Sequence, residues 1–263
     1  MDLANFIDAF PQWAQGLIIV ALALLSIETG RWLGKRRIAR ATEDNRASIN
    51  AAVGATLGLL AFLLAFTFSM AAARYDSRKQ LVLQEASAIG TTYLRADFLP
   101  DPSRDESRQL LREYLALRLG GVTVLVTPES MAQSAALLDR LWAIAREAPV
   151  TVPPSHAVYV SLFVQSLNEV INLESSRVAA GRNRIPDTIW LMLVLVLMFS
   201  MMALGYLFGF THTHSWAITI LMIVAFTIVI LLIADLDQSQ TGLLQVSQQP
   251  LIDLLNKIGT PTP

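Results

Sequence analysis

The chain has 263 residues, of which 54% are hydrophobic and only 16% charged, whereas a soluble domain averages roughly 45–50% apolar and about 25% charged. Twenty basic residues stand against 21 acidic ones, a formal net charge of −1, which removes the electrostatic case for nucleic-acid binding and for a charge-driven disordered chain. Cysteine is absent, so a disulfide framework, a thiolate metal site and a cysteine nucleophile are all excluded.

The charges lie in blocks. Residues 9–27, 49–73 and 188–234 carry none. A charge-free apolar run of ~20 residues has the length of a helix crossing a ~30 Å hydrocarbon core. The first two runs are one span each. The third, 47 residues long, is two spans broken at Phe210-Thr-His-Thr-His-Ser215. The pattern predicts an all-α membrane protein with four transmembrane helices at about 10–29, 49–73, 187–209 and 215–234. A first transmembrane pair then occupies residues 1–73, a helical extramembrane block 74–185, a second pair 186–234 and a C-terminal tail 235–263. Trp13, Trp32, Trp190 and Trp216 sit near span ends, where aromatic belts form.

Span one has an acidic lead-in, Asp2 and Asp8, and no small-residue cleavage site after it, so an uncleaved anchor is expected in place of a signal peptide. Arg31, Lys35, Arg36, Arg37, Arg40 and Arg46 crowd the loop before span two, and the N-terminal tail has no basic residue. The positive-inside rule therefore leans toward a cytoplasmic loop and an external N-terminus. Arg74, Arg78 and Lys79, with Arg177, Arg182 and Arg184, weigh on the other side.

Within the block, Val82, Ala86, Ile89 and Tyr93 recur at helical spacing, so the helix of span two is expected to run on to about Phe98. Asp101 reads as an N-cap with Pro102 at the first helical position, and Gly120-Gly121 as that helix's end. Thr127-Pro128 opens another helix that stops near Pro149. Ser155 caps a fourth, to about Ala180, with Gly181 just past it. Short Val/Thr runs at 122–126 and 150–152 are candidates for extended chain, without a sheet. The 13 basic and 13 acidic residues of Arg74 to Asp187 read as solvated faces with local ion pairs.

No catalytic residue, cofactor site or metal site emerges. No G-x-x-x-x-G-K, G-x-G-x-x-G or H-E-x-x-H occurs. His156 sits beside the capping Ser155. His212 and His214, two apart between spans three and four, read as a polar interfacial turn before a metal or proton-relay pair. Asp235 and Asp237 follow span four and read as a helix exit. Glu28, at the end of span one, is an intramembrane carboxylate and so a functional candidate; the plainer reading pairs it with Arg31 in the headgroup zone. Arg74 opens the charged block.

Span two is the most informative helix. Gly54-Ala-Thr-Leu-Gly58 is a small-xxx-small pattern that permits close helix approach, and span three carries a second pair, Gly205 and Gly209. Gly58, Phe62 and Phe66 are spaced by four and share one stripe, extended by Ser69 or Met70. The stripe suits helix packing. Ringed about an axis by several copies, it also makes a hydrophobic constriction that gates by dewetting, with ring edges offering positive quadrupole density to an anion. Glycines with Thr56, Thr67 and Ser69 suit lipid poorly, so span two is expected to be buried against other spans or subunits.

Phe62-Leu-Leu-Ala-Phe66, then Ala73-Arg-Tyr75, Arg78 and a helix through Leu83 to Glu85, resembles the second transmembrane helix of bestrophins. Over nearly its full length the chain is similar to the bacterial bestrophin-like membrane proteins, through Ala65-Phe-Thr-Phe-Ser69, Arg74-Tyr-Asp76, Glu85-Ala-Ser-Ala-Ile-Gly90, Tyr93-Leu-Arg95, Arg184-Ile-Pro186 with Ile189-Trp190, and Val246-Ser-Gln-Gln-Pro-Leu251. The resemblance implies a pentameric ion channel of the bacterial inner (plasma) membrane, lined by span two and passing small inorganic ions, anions or cations. Phe62 and Phe66 match the aromatic neck. Gly58 falls where the family often has a larger apolar residue, and Tyr75 replaces a tryptophan. The acidic calcium clasp of animal bestrophins has no match. The family keeps its helical block in the cytoplasm, against the charge count here.

Two further readings compete. One is a non-conducting scaffold or sensor whose helical block binds a protein partner, in keeping with the large block and the lack of chemical motifs. The other is a transporter or membrane enzyme, supported only by Glu28 and His212/His214.

Overall fold

The structure, a computed structural model, describes residues 11–36, 43–123, 128–151, 153, 157–211, 215–238 and 243–259. Every long element among them is an α-helix: α1 (Gln12–Lys35), α2 (Glu43–Arg95), α3 (Ser103–Thr123), α4 (Pro128–Thr151), α5 (Ala157–Arg182), α6 (Asp187–Thr211), α7 (Trp216–Asp237) and α8 (Gln249–Ile258), with one 3-10 turn at Ala96–Phe98. The fold is all-α, and four helices, those holding the charge-free runs, are long and apolar enough to cross a membrane. The chain divides into two compact units, residues 1–73 with 184–238 and residues 74–183 with 239–263.

In the first unit α1 packs along α6 and, less extensively, against α7. Glycine sets the α1–α6 approach. A Cβ on Gly205 would lie 2.0 Å from the Ile27 carbonyl oxygen, and one on Gly30 would lie 1.9 Å from that of Met202. A turn further on, Gly209 and Gly34 meet the Arg31 and Tyr206 carbonyls at 2.3 and 2.4 Å in the same sense. Between apolar helices in lipid no hydrophobic gain drives association, so backbone proximity and dispersion must. Two hydroxyls are satisfied within their own helices: Ser26 Oγ donates to the Leu22 carbonyl and Thr67 Oγ1 to the Leu63 carbonyl, each at 2.7 Å. Ser200 Oγ reaches from α6 to the Thr56 carbonyl of α2 at 3.1 Å.

Asp235 and Asp237 do close α7, but not as solvated charges. They are only 5% and 1% exposed. Gln12 Nε2 donates to Asp235 Oδ1 at 2.5 Å, and the Ile185 amide donates to Asp237 Oδ1 at 2.9 Å, with Arg184 Nε 3.4 Å from the other oxygen. Buried carboxylates require such partners, and here Asp235 ties the start of α1, and Asp237 the chain entering α6, to the end of α7.

In the second unit, residues 74–95 of α2 turn Val82, Ala86, Ile89 and Tyr93 into a core shared with Leu111, Tyr114 and Leu115 of α3, Leu141 of α4, and Phe163, Leu167 and Val170 of α5. This is the face that the spacing predicted. Several boundaries shift by less than a turn. The α-helix of α2 ends at Arg95 and a 3-10 turn carries it to Phe98. Helix α3 begins at Ser103, and the Asp101 carboxylate accepts from Arg104 Nη2 at 2.6 Å. It passes Gly120-Gly121 to reach Thr123, α4 passes Pro149 to reach Thr151, and α5 passes Gly181 to reach Arg182. Ser155, His156 and Thr127 lie outside the described residues, as do 124–126 and 152 of the two Val/Thr runs; the expectation of extended chain is corrected for the remaining positions, 122–123 and 150–151, which continue α3 and α4 as helix. The segment at 235–263 is more than a tail. Helix α8 opens with Gln249-Pro250, buries Leu251 fully, and sets Leu254, Leu255 and Ile258 against the same core.

Candidate functional site

Residues 49–73 of α2 present two faces. Val53, Leu60, Leu64, Thr67 and Ala71 are buried at spacings of seven, four, three and four. The opposite stripe is open: Gly54, Gly58 and Ser69 are exposed, and Phe62 and Phe66 are 66% and 59% exposed. A Cβ added at Gly54 or Gly58 would meet nothing within 4 Å among the described residues. A stripe of bare backbone and one hydroxyl around two large rings is a poor lipid face, because glycine offers acyl chains little apolar area to cover. Phe66 also edges a shallow apolar groove, which Leu63 and Thr67 of α2 line with Thr188, Ile189, Met192 and Leu193 of α6.

The remaining candidates are dispersed. Glu28 is exposed and pairs with Arg31 at 3.1 Å. Gly205 and Gly209 lie against α1, away from the open stripe. Their partners, Gly30 and Gly34, were not singled out in the sequence, although their four-residue spacing on span one is the available signal. His212 and His214 lie outside the described residues. Arg74 is half-buried, at the start of the second unit.

A polar centre in the second unit escaped the sequence reading, which treated its members as solvated charges. Glu85 is fully buried. Its Oε1 accepts from the Tyr114 hydroxyl at 2.9 Å and lies 3.0 Å from Arg118 Nε, while its Oε2 is held by Arg177. Arg177 also donates to Gln248 Oε1, just ahead of α8, at 3.3 Å. The centre ties α2, α3, α5 and the chain entering α8 together. Burial, then the Glu85 carboxylate, pushes the Tyr114 hydroxyl well above its ordinary pKa of 10.0, so it stays protonated and donating. The available signal was register, since Glu85 falls on the apolar face of 82, 86 and 89.

The family model for the bestrophin-like domain matches residues 19–251. Among curated proteins nothing matches the chain. Solved structures share its fold. A crystal structure of a membrane-protein variant superposes with a TM-score of 0.66 at 14% identity, over 95% of this chain and 99% of its own. A bacterial bestrophin homologue from Klebsiella pneumoniae gives 0.65 at 15% identity, over 94% and 98%. A point-mutated form of that homologue gives 0.61 at 15%, over 94% and 97%.

Proposed function

The chain belongs to the bestrophin-like family, and from that premise we propose that it forms a homo-oligomeric ion channel whose pore α2 lines. Phe62 and Phe66 form the constriction, with Gly58 and Ser69 on the same wall, in a bacterial inner membrane. The observation that carries this reading is the open stripe of α2: two large rings one turn apart, preceded by glycines that no described residue covers. Five copies, the number the family resemblance implies, would place ten phenyl rings around one axis. Such a neck holds water poorly when narrow and wets when it widens, which is gating without a charged gate. Gly58 leaves the level above Phe62 wide, so the neck has two rings of side chains.

Planar-bilayer recording of the purified protein tests this. Wild type is expected to conduct, and Phe62→Ala with Phe66→Ala to raise the open fraction and alter ion selectivity. Absence of conductance, or conductance indifferent to both changes, would overturn it. The scaffold reading keeps one observation in its favour, the exposed Leu94, Phe98, Val158 and Tyr159 of the second unit. It predicts a co-purifying protein and no current.

A further inference from the structure

We propose that Phe68 of one copy seats in the groove between α2 and α6 of the next copy. The membrane unit then assembles head to tail, through a ring and a hole on opposite flanks of α2. The proposal rests on the channel reading and assigns the seam between its subunits.

An α-helix turns by about 100° per residue, so residues 49–73 sort into a buried face, an open stripe and two flanks. With Phe62 as origin, the buried Val53, Leu60, Leu64, Thr67 and Ala71 cluster at roughly 140–200°. The open stripe of Gly58, Phe62, Phe66 and Ser69 lies opposite, within about 40° of the origin. Leu63, at about 100°, marks one flank, and there the groove opens, with Leu63, Phe66 and Thr67 as its α2 wall. Phe68, at about −120°, stands on the other flank and is 39% exposed. Beside it Ala61 and Ala65 are exposed as well.

In a ring whose axis the open stripe faces, both flanks of α2 meet neighbouring copies. One flank offers a hole and the other a knob. The groove holds about 250 Å³ of space between apolar side chains, whereas an engineered apolar cavity of about 150 Å³ already takes up benzene. A phenyl ring therefore fits. The depths also match. Phe68 is one residue from Thr67, a rise of about 1.5 Å, so rotation about an axis running along α2 carries the ring to the height of the groove. Ala61 and Ala65 leave room for a neighbouring backbone to come close. Filling the hole gains dispersion contacts, the drive that remains between apolar helices in lipid. A knob and a hole on opposite flanks are not both satisfied across a single two-fold axis. Head-to-tail contact satisfies one of each, and it repeats until the ring closes.

The chain has no cysteine, so introduced thiols report on single positions. The test uses the full chain in phosphatidylcholine nanodiscs, with subunits counted by native mass spectrometry. Ala65→Cys, on the flank of Phe68, is combined with Met192→Cys in the groove and treated with a short thiol-specific crosslinker. A ladder of covalent multimers is expected on denaturing gels from the double variant, and none from either single variant, because each seam joins the two flanks of different copies. Phe68→Ala is expected to weaken subunit association about 10- to 100-fold, the size of an aromatic hot spot, and Phe68→Leu to weaken it less. If the double variant fails to fold, the two Phe68 variants carry the test. An oligomer that links only within each chain or not at all, a ladder from Ala65→Cys alone, or association indifferent to Phe68→Ala overturns the proposal and leaves the channel reading standing. Those are the results if an acyl chain fills the groove. A wild type that is monomeric in the nanodiscs overturns both.

Discussion

The two units are held together by different physics. In the first, α1 and α6 meet backbone to backbone at Gly30, Gly34, Gly205 and Gly209. In the second, an apolar core encloses one carboxylate clamped by two arginines and a tyrosine. Apolar side chains gain little by leaving lipid for one another, so the membrane unit depends on proximity and shape. In water apolar burial supplies the drive, and the block can enclose a charge provided that its partners come with it.

The sharpest way to break this comparison is in the block. Glu85→Ala would leave Arg118 and Arg177 buried without their shared carboxylate. A loss of about 3–5 kcal/mol is expected, measured by thermal or denaturant unfolding in detergent; a loss below about 1 kcal/mol would show that the centre is not a structural anchor.

Gly205→Leu probes the membrane unit. Its side chain would have to occupy the space of the Ile27 carbonyl, and overpacking of this kind costs about 1–3 kcal/mol or more. A Tm matching that of wild type would contradict the close approach of α1 and α6.

Tyr114→Phe is milder, because two arginines still hold Glu85; about 1 kcal/mol is expected. It carries a pH signature. The Tyr114 pKa is raised in the folded state, so the unfolded chain ionises first as pH climbs. The stability contributed by the protonated hydroxyl is complete below about pH 10 and is lost above it. Unfolding titrations should show wild type losing more stability than Tyr114→Phe across that alkaline range. Parallel curves would remove Tyr114 from the account.

Gly58→Leu should have the smallest effect on folding, within about 0.5 kcal/mol, since no described residue lies within 4 Å of the added Cβ. Its effect is expected in bilayer recordings, as reduced conductance from a third apolar level in the neck. The contrast with Gly205→Leu is the point: the same substitution of the same residue type, with stability lost in one place and function in the other.

Much of the fold was legible because it depends on one-dimensional quantities. The lengths of the charge-free runs gave the four spans, and the spacing of Val82, Ala86, Ile89 and Tyr93 gave the buried face of the extended helix. The stripe of Gly58, Phe62 and Phe66 was legible by the same periodicity. Helix ends were read a few residues short, as at Gly120-Gly121, because a helix held by tertiary packing tolerates glycine in its last turn. Helix α8 went unread, since its ten residues owe their stability to Leu251 and Leu254 finding a core contributed by distant segments. Glu85 was misjudged for a related reason. A lone charge is usually solvated, and only the arrival of Arg118 and Arg177 from other helices lets this one be buried.

What the sequence determined by itself is the set of spans and the faces of the amphipathic helices, because hydropathy and its period are properties of consecutive residues. Tertiary structure decided which faces find partners. Gly205 and Gly209 are met by the Ile27 and Arg31 backbones of α1, while Gly54 and Gly58, carrying the same motif, are left open by the described residues beside Phe62 and Phe66. A glycine pair specifies only that a backbone can come close. Which backbone does so depends on the register and separation of helices far apart in the chain, and those are fixed only when the helices pack.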